Sequence, residues 1–206
     1  MLIIFDVDGV LVKASWEGLF EAYKTMITEL ERDYTMYFMN LQEFKNWWSP
    51  DWRKNNQRLN IRQDELEKAH WIFYEIYNSY VHLFPWVYRV LKQLSKKHRL
   101  VSLTNRHRSN AIKHLGPVRK YLEIIVGAEN VNRLKPDPEG INLILSKTDA
   151  ARKETLMIGD MADDLMAGKA AGIKTGAVKW GLGNWDELMV CSPDYAFEEP
   201  QHLLEI

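Results

Sequence analysis

Asp6 and Asp8 stand one residue apart at the end of an apolar run, Leu2-Ile3-Ile4-Phe5, and Gly9 follows them. Asp160 follows another apolar run late in the chain, with Asp163 and Asp164 in the next turn. Thr104-Asn105 comes directly after a third run, and Lys135-Pro136 stands in the loop after a fourth. Carboxylates gathered in one place repel one another and raise one another's pKa unless a cation holds them. Mg²⁺ suits such a set, because it takes oxygen ligands in an octahedron and commonly keeps waters for a substrate phosphate. Zinc would ask for His or Cys at ligand spacing, which is not found; His98 and His107 read as solvated loop residues.

Each position alone has a plainer explanation. Asp8-Gly9 is a common turn dipeptide, and Thr104 or Asn105 can start a turn. Lys135-Pro136 can be a solvated loop, and Asp163 an N-cap or a favourable first-turn charge. Their joint occurrence, each after a predicted strand, favours a site.

The elements that would position these groups alternate along the chain. Short apolar runs at 2–5, 100–103, 123–126, 155–158 and 174–178 read as strands, with a last short one near 194–197. Helical patterns fall at about 109–115, 138–147 and 163–171, the last closed by Gly172, and Pro85 suits the first turn of another. Strands separated by helices imply a parallel sheet with right-handed crossovers, an α/β fold of the three-layer, Rossmann-like kind. In such sheets ligands bind outside the carboxyl ends of the strands, where all of these polar groups fall. The first connection is anomalous. Helical spacing fills 15–32, 41–48 and 62–80, where a strand-to-helix loop should take only a few residues. The expected organisation is a core of 1–13 and 83–206 with an α-helical domain, 14–82, inserted after the first strand.

Composition excludes other classes. The 206 residues carry a net charge of −1, so a nucleic-acid partner, which calls for a basic excess, is not expected. No stretch reaches the roughly 18–20 apolar residues that span a bilayer. The amino terminus leaves no room for a signal segment before Asp6, and a single cysteine, Cys191, suits a reducing compartment. A cytoplasmic protein without membrane contact is the expectation.

The segments Asp6-Val7-Asp8-Gly9-Val10, Leu103-Thr104-Asn105, Lys135-Pro136 and Gly159-Asp160-Met161-Ala162-Asp163-Asp164 resemble the four motifs of the haloacid dehalogenase superfamily. The stretch Ala167-Gly168-Lys169-Ala170-Ala171-Gly172-Ile173 is similar to the segment after the fourth motif in its phosphoglycolate-phosphatase-like members. The insert resembles a helical cap of the C1 type. The resemblance implies a Mg²⁺-dependent phosphatase acting on a small phosphorylated metabolite. Asp6 would be the nucleophile, forming an aspartyl-phosphate, and Asp8 the general acid and base. Mg²⁺ would be held by Asp6, the Asp8 carbonyl and Asp160, with Asp164 supporting the metal or the lysine. Thr104 and the Asn105 backbone would bind phosphoryl oxygens, and Lys135 would balance charge.

Some positions depart from the common pattern. Val10 and Met161 replace frequent hydroxyl residues, and Lys13-Ala14 alter the expected hinge. Asp163 stands where Asn is frequent, which leaves both Asp163 and Asp164 as supporting carboxylates, with spacing favouring Asp164. Asp8 argues against a true dehalogenase, where a leaving halide needs no proton. A phosphomutase of the β-phosphoglucomutase type shares the motifs and is the alternative. A phosphonatase would need a cap lysine, for which Lys24, Lys45 and Lys54 are unmarked candidates, and a non-enzymatic binding module would not need the full carboxylate set. Arg106 is a candidate contact for an anionic substrate, a solvated loop charge being the simpler reading. The segment Trp47 to Lys54, rich in tryptophan and cations around an expected helix break, fits either an anchored loop or a substrate-facing surface. Trp180-Gly181-Leu182-Gly183-Asn184 reads as a flexible loop.

Overall fold

A computed structural model describes all 206 residues, which form two compact units, Met1–Lys13 with Leu83–Ile206, and Ala14–His82. The first contains a six-stranded parallel sheet. In chain order its strands are β1 (Leu2–Phe5), β4 (Arg99–Leu103), β5 (Ile125–Val126), β6 (Thr155–Gly159), β7 (Lys174–Val178) and β8 (Tyr195–Phe197). Two short strands, β2 (Val12–Lys13) and β3 (His82–Leu83), stand where the chain leaves and re-enters this unit. The helices of the first unit are α5 (Val87–Leu94), α6 (Arg108–Leu115), α7 (Glu139–Thr148), α8 (Ala162–Ala170) and α9 (Trp185–Val190). The α/β fold expected from the alternation is the one observed.

Sheet order is β5-β4-β1-β6-β7-β8. The chain builds outward from β1 on one side, then returns to β1's other edge and builds outward again. This makes β1 the switch point of the sheet, where a crevice opens at the carboxyl ends. Phe5 pairs in register with both Ser102 and Ile158, so the chain emerges from β1, β4 and β6 at nearly one level. Every residue of β1 is buried, as expected for a strand covered on both faces. Leu2 and Ile4 lie on the face that packs with Val101, Leu103 and Met157 against Ile141 and Ile144 of α7 and Ala167 of α8. Gly172 closes α8 with φ of +68°, a left-handed turn that Gly adopts without the strain a Cβ would bring.

The second unit contains α1 (Trp16–Glu29), α2 (Leu41–Trp47), α3 (Trp52–Arg58) and α4 (Leu66–Tyr77). Caps set three of the starts: Ser15 accepts from the Gly18 amide at 2.9 Å, Asn40 from Glu43 at 3.0 Å and Asp51 from Arg53 at 3.0 Å. The core is aromatic, with the rings of Phe20, Tyr23, Phe38, Phe44 and Trp47 in mutual contact. The expected break at Ser49-Pro50 is present, and a helix resumes at Trp52. Buried Asn55 holds the break, accepting from the Ser49 amide at 3.0 Å and donating to its carbonyl at 2.7 Å. Trp47 packs in the aromatic core, Trp48 edge-on to Trp16, and Trp52 edge-on to His70, so all three tryptophans of the segment are engaged within this unit.

The spacing predicts a helix over 62–80, whereas α4 runs Leu66–Tyr77: the chain before it forms a turn, with the Glu65 amide donating to the Arg62 carbonyl, and a 3₁₀ turn, Asn78–Tyr80, follows it. α9 has no counterpart in the sequence reading. It is only six residues long, too short for a helical period to register. No helix is long and apolar enough to cross a membrane.

Candidate active site

Asp6 is the first residue past β1, and its amide donates to the Ile158 carbonyl of β6 at 2.9 Å, which fixes the side chain at the mouth of the crevice. Asp160 follows β6 and Thr104 follows β4, both buried. Lys135 comes from the loop after β5, and Asn105 clamps that loop. The Asn105 side chain accepts from the Lys135 amide at 3.0 Å and donates to its carbonyl at 3.2 Å. The family resemblance implies only a backbone role for Asn105; its side-chain amide also holds the backbone of Lys135.

Lys135 Nζ then lies 2.6 Å from Asp6 Oδ1, 2.6 Å from Asp164 Oδ1 and 3.3 Å from the Leu103 carbonyl. Asp164 uses its other oxygen to accept from the Met161 amide at 3.0 Å, capping α8. Both oxygens of Asp164 are therefore committed, one to the lysine and one to the helix. Asp163, on the same turn, is half-buried.

Asp6, Asp160 and Asp164 each present a carboxylate oxygen within 4.8 Å of the others. Burial is the largest influence on Asp6 and pushes its carboxyl up to about 7; Lys135 pulls it down, while Asp164 and Asp8 push it further up. Asp160 is raised well above the usual carboxylate range, again by burial first and then by Asp6 and Asp164. Burial works against the Lys135 ammonium, yet Asp164 and Asp6 together hold its pKa above the ordinary lysine value. A single ammonium does not balance this cluster.

The donor set fits a hard divalent cation. All candidate ligands are oxygens, and Asp160 Oδ1 is buried with no hydrogen-bond partner, as a carboxylate oxygen reserved for an ion would be. Glycines let the backbone approach these carboxylates closely. Gly9 has φ of +83°, and a methyl built on it would collide with the Asp160 carboxylate; one on Gly159 would collide with Asp164.

Asp8 is close enough to raise the pKa of Asp6 but is not one of these three carboxylates. Its Oδ1 accepts from Arg106 Nη1 at 2.7 Å. Arg106 is buried, not a solvated loop charge, and its amide donates to Thr104 Oγ1 at 3.1 Å. Arg106 Nη2 also lies 2.9 Å from His114 Nδ1 and donates to the Asn110 carbonyl at 3.4 Å. His114, on α6, has no marker in the sequence, since a lone His on a helix gives no signal. His98 and His107 are half-buried instead of fully solvated, His98 Nε2 lying 3.3 Å from the Ile206 carbonyl and His107 Nδ1 3.7 Å from Glu129.

The Trp180–Asn184 segment is packed, not free. Trp180 Nε1 donates to the Val10 carbonyl at 3.3 Å, its ring meets Trp86 edge-on, and the Leu182 amide donates to Asp160 Oδ2 at 2.7 Å. The paired glycines of this segment are its only sequence signal, and they read as ordinary loop residues.

A family model described as haloacid dehalogenase-like hydrolase matches residues 3–178. Among curated proteins, a pyrophosphatase PpaX from Oceanobacillus iheyensis is 27% identical over 213 residues, covering 99% of this chain and 95% of its own. A solved structure of a putative haloacid dehalogenase-like hydrolase from Bacteroides fragilis gives a TM-score of 0.82 at 24% identity, over 98% of each chain. A putative phosphoglycolate phosphatase from Lactobacillus plantarum gives 0.80 at 21% identity, over 99% of this chain and 97% of its own. At these identities the solved structures speak for the fold alone.

Proposed function

The chain belongs to the haloacid dehalogenase-like hydrolases, and from that premise we propose that it is a Mg²⁺-dependent phosphatase working through an aspartyl-phosphate on Asp6. The observation that carries this is the position of Asp6 at the sheet's switch point, with one carboxylate oxygen held by Lys135 at 2.6 Å and two further carboxylates beside it. Lys135 occupies Oδ1 and so orients the carboxylate with Oδ2 as the attacking atom.

In the first displacement a bond forms from Asp6 to phosphorus as the bond to the leaving oxygen breaks. Asp8 supplies the proton to that oxygen, help of a kind typically worth about 10²–10⁴ in rate. In the second, Asp8 takes a proton from water, the water oxygen bonds to phosphorus, and the Asp6–phosphorus bond breaks. Thr104, the Asn105 backbone and Lys135 hold phosphoryl oxygens. Asp6, Asp160 and the Asp8 carbonyl would hold Mg²⁺, with Asp164 acting through Lys135 and α8. Once bound, the ion supplies charge neutralisation between an anionic nucleophile and an anionic phosphate.

Arg106 narrows the substrate. Its guanidinium stands beside the group that protonates the leaving oxygen, where it favours a leaving group with its own negative charge. Pyrophosphate, in the name of the curated relatives, and phosphoglycolate, in that of a structural neighbour, both have this feature. By its place in the chain, the Ala14–His82 unit takes the role of the cap that excludes water from such a reaction.

The test is Mg²⁺-dependent phosphate release from a panel containing pyrophosphate, phosphoglycolate and neutral-leaving-group esters, by wild type and by Asp6→Asn. Loss of all turnover in Asp6→Asn is expected. Equal activity in the two proteins would remove Asp6 as nucleophile.

A further inference from the structure

We propose that the Trp180–Asn184 loop is a positioning device for Asp160, whose backbone amide at Leu182 decides which carboxylate oxygen is left for the cation. The inference rests on the metal-site reading of Asp6 and Asp160 and extends it to residues outside the four motifs.

Asp160 is wholly buried, and its two oxygens have different fates. Oδ2 accepts from the Leu182 amide at 2.7 Å, whereas Oδ1 has no partner. A carboxylate free to rotate would offer either oxygen; this one is locked with a single oxygen open. Donors behind a metal ligand fix its orientation in this manner, and their loss typically costs about 10–100-fold in metal affinity.

The loop's glycines serve that contact. Neither Gly181 nor Gly183 has a left-handed φ, so any side chain could adopt their backbone conformation. Space is what excludes one. A methyl on Gly181 would overlap the Asp160 side chain, and one on Gly183 would overlap the Asp160 backbone carbonyl. Glycine at both positions lets the loop close directly onto the aspartate.

Both ends of the loop are pinned, which a positioning element requires. At the entry, Trp180 Nε1 bonds to the Val10 carbonyl, and the Trp180 and Trp86 rings meet with centroids 5.4 Å apart. Val10 directly follows Gly9, whose backbone also stands close against the Asp160 carboxylate. At the exit, Asn184 caps α9, accepting from the amides of Asp186 at 2.9 Å and Glu187 at 3.3 Å. Leu188 of α9 is buried against Leu165 of α8 and Ala177 of β7, tying the loop to the core.

The experiment is a calorimetric Mg²⁺ titration of the metal-free full-length protein in four forms: wild type, Asp160→Asn, Gly181→Ala, and a protein with the amide nitrogen of Leu182 replaced by an ester oxygen through incorporation of the α-hydroxy analogue of leucine. The ester deletes one N–H and keeps the side chain. It is expected to weaken Mg²⁺ binding about tenfold, with Gly181→Ala at least as weak. Turnover should recover toward the wild-type value at saturating Mg²⁺, which a general loss of packing would not give. An ester variant that binds Mg²⁺ within twofold of wild type overturns the inference, whether or not Gly181→Ala folds. If wild type and Asp160→Asn bind Mg²⁺ equally, the metal-site reading itself fails, and this inference fails with it.

Discussion

Arg106 Nη1 lies 2.7 Å from Asp8 Oδ1, and the pair is nearly closed to solvent, with 10% of the arginine and 18% of the aspartate side chain exposed. Breaking a buried pair leaves one charge uncompensated, which costs more than forming the pair contributed. The same guanidinium reaches Asn110 and His114, both on α6, so the loop after β4 and this helix converge on Asp8 through one residue. In the proposed reaction this holds the acid–base group in place and offers a cation to the leaving group.

Arg106→Ala should therefore separate substrates by their leaving groups. For pyrophosphate kcat/KM should fall about 10–100-fold, the loss of a charge-assisted contact. For a neutral leaving group such as an alkyl phosphate, the fall should be smaller, since only the hold on Asp8 is lost. Steady-state kinetics on both substrates checks this, and equal losses would show that Arg106 acts on Asp8 alone.

Lys135 should be a stability residue as well as a site residue. Lys135→Met leaves Asp6 and Asp164 buried without their cation, and removing one partner of such a group typically costs about 3–5 kcal/mol. Urea unfolding in EDTA is the measurement. Because Lys135 is 5% exposed and bonded to both carboxylates, a loss under 1 kcal/mol, on the order of a surface pair, would contradict the described geometry.

Much of this site was legible because strand ends carry their signal in short, local patterns. Asp6, Thr104 and Asp160 each follow a short apolar run that reads as a buried strand, and one rule about parallel sheets brings them together. The hidden part depends on long-range contact. Nothing local distinguishes Arg106 from a solvated arginine; its burial follows from meeting Asp8, which lies far away in sequence. Asn105 could not reveal that its side chain clamps the Lys135 loop. The Trp180–Asn184 loop looked flexible because glycine suits both mobile turns and close approaches, and only the position of Asp160 decides between them. In the helical unit, α3 escaped notice because its polar sequence, Trp52 to Arg58, has almost no apolar period.

Mg²⁺ should stabilise the protein more at alkaline than at acidic pH. Burial and mutual repulsion raise Asp6 to about 7 and Asp160 well above its usual range, so below neutrality protons compete with the cation for these oxygens. Stabilisation by a ligand follows its affinity for the folded state. Millimolar Mg²⁺ should raise Tm by at least about 3 °C at pH 8, from the roughly 2–4 °C per kcal/mol of a chain this size, and by much less at pH 5.5. Thermal scans at the two pH values decide it, with Asp160→Asn as the form that should show no shift at either.

Asp6→Asn should abolish turnover yet make the metal-free protein more stable. The sign comes from linkage. Asp6 has a raised folded pKa, about 7 against 3.8 for the free side chain, so the folded state holds a proton that the unfolded state has released across that window. Stability is therefore lost as pH rises from about 4 to 7, because ionising Asp6 costs more in the fold than in the open chain. Asparagine keeps an oxygen for Lys135 and cannot ionise, so the variant should escape that loss. In EDTA at pH 8 the gain should be about 1–3 kcal/mol, a discounted share of the roughly 1.4 kcal/mol that each pKa unit represents. At pH 4 wild type and variant should unfold alike, since Asp6 is protonated in the fold there. Urea midpoints measured across this range test the relation. A gain that is constant with pH, or largest in acid, would show that repulsion within the carboxylate cluster is not what Asp6 contributes to stability.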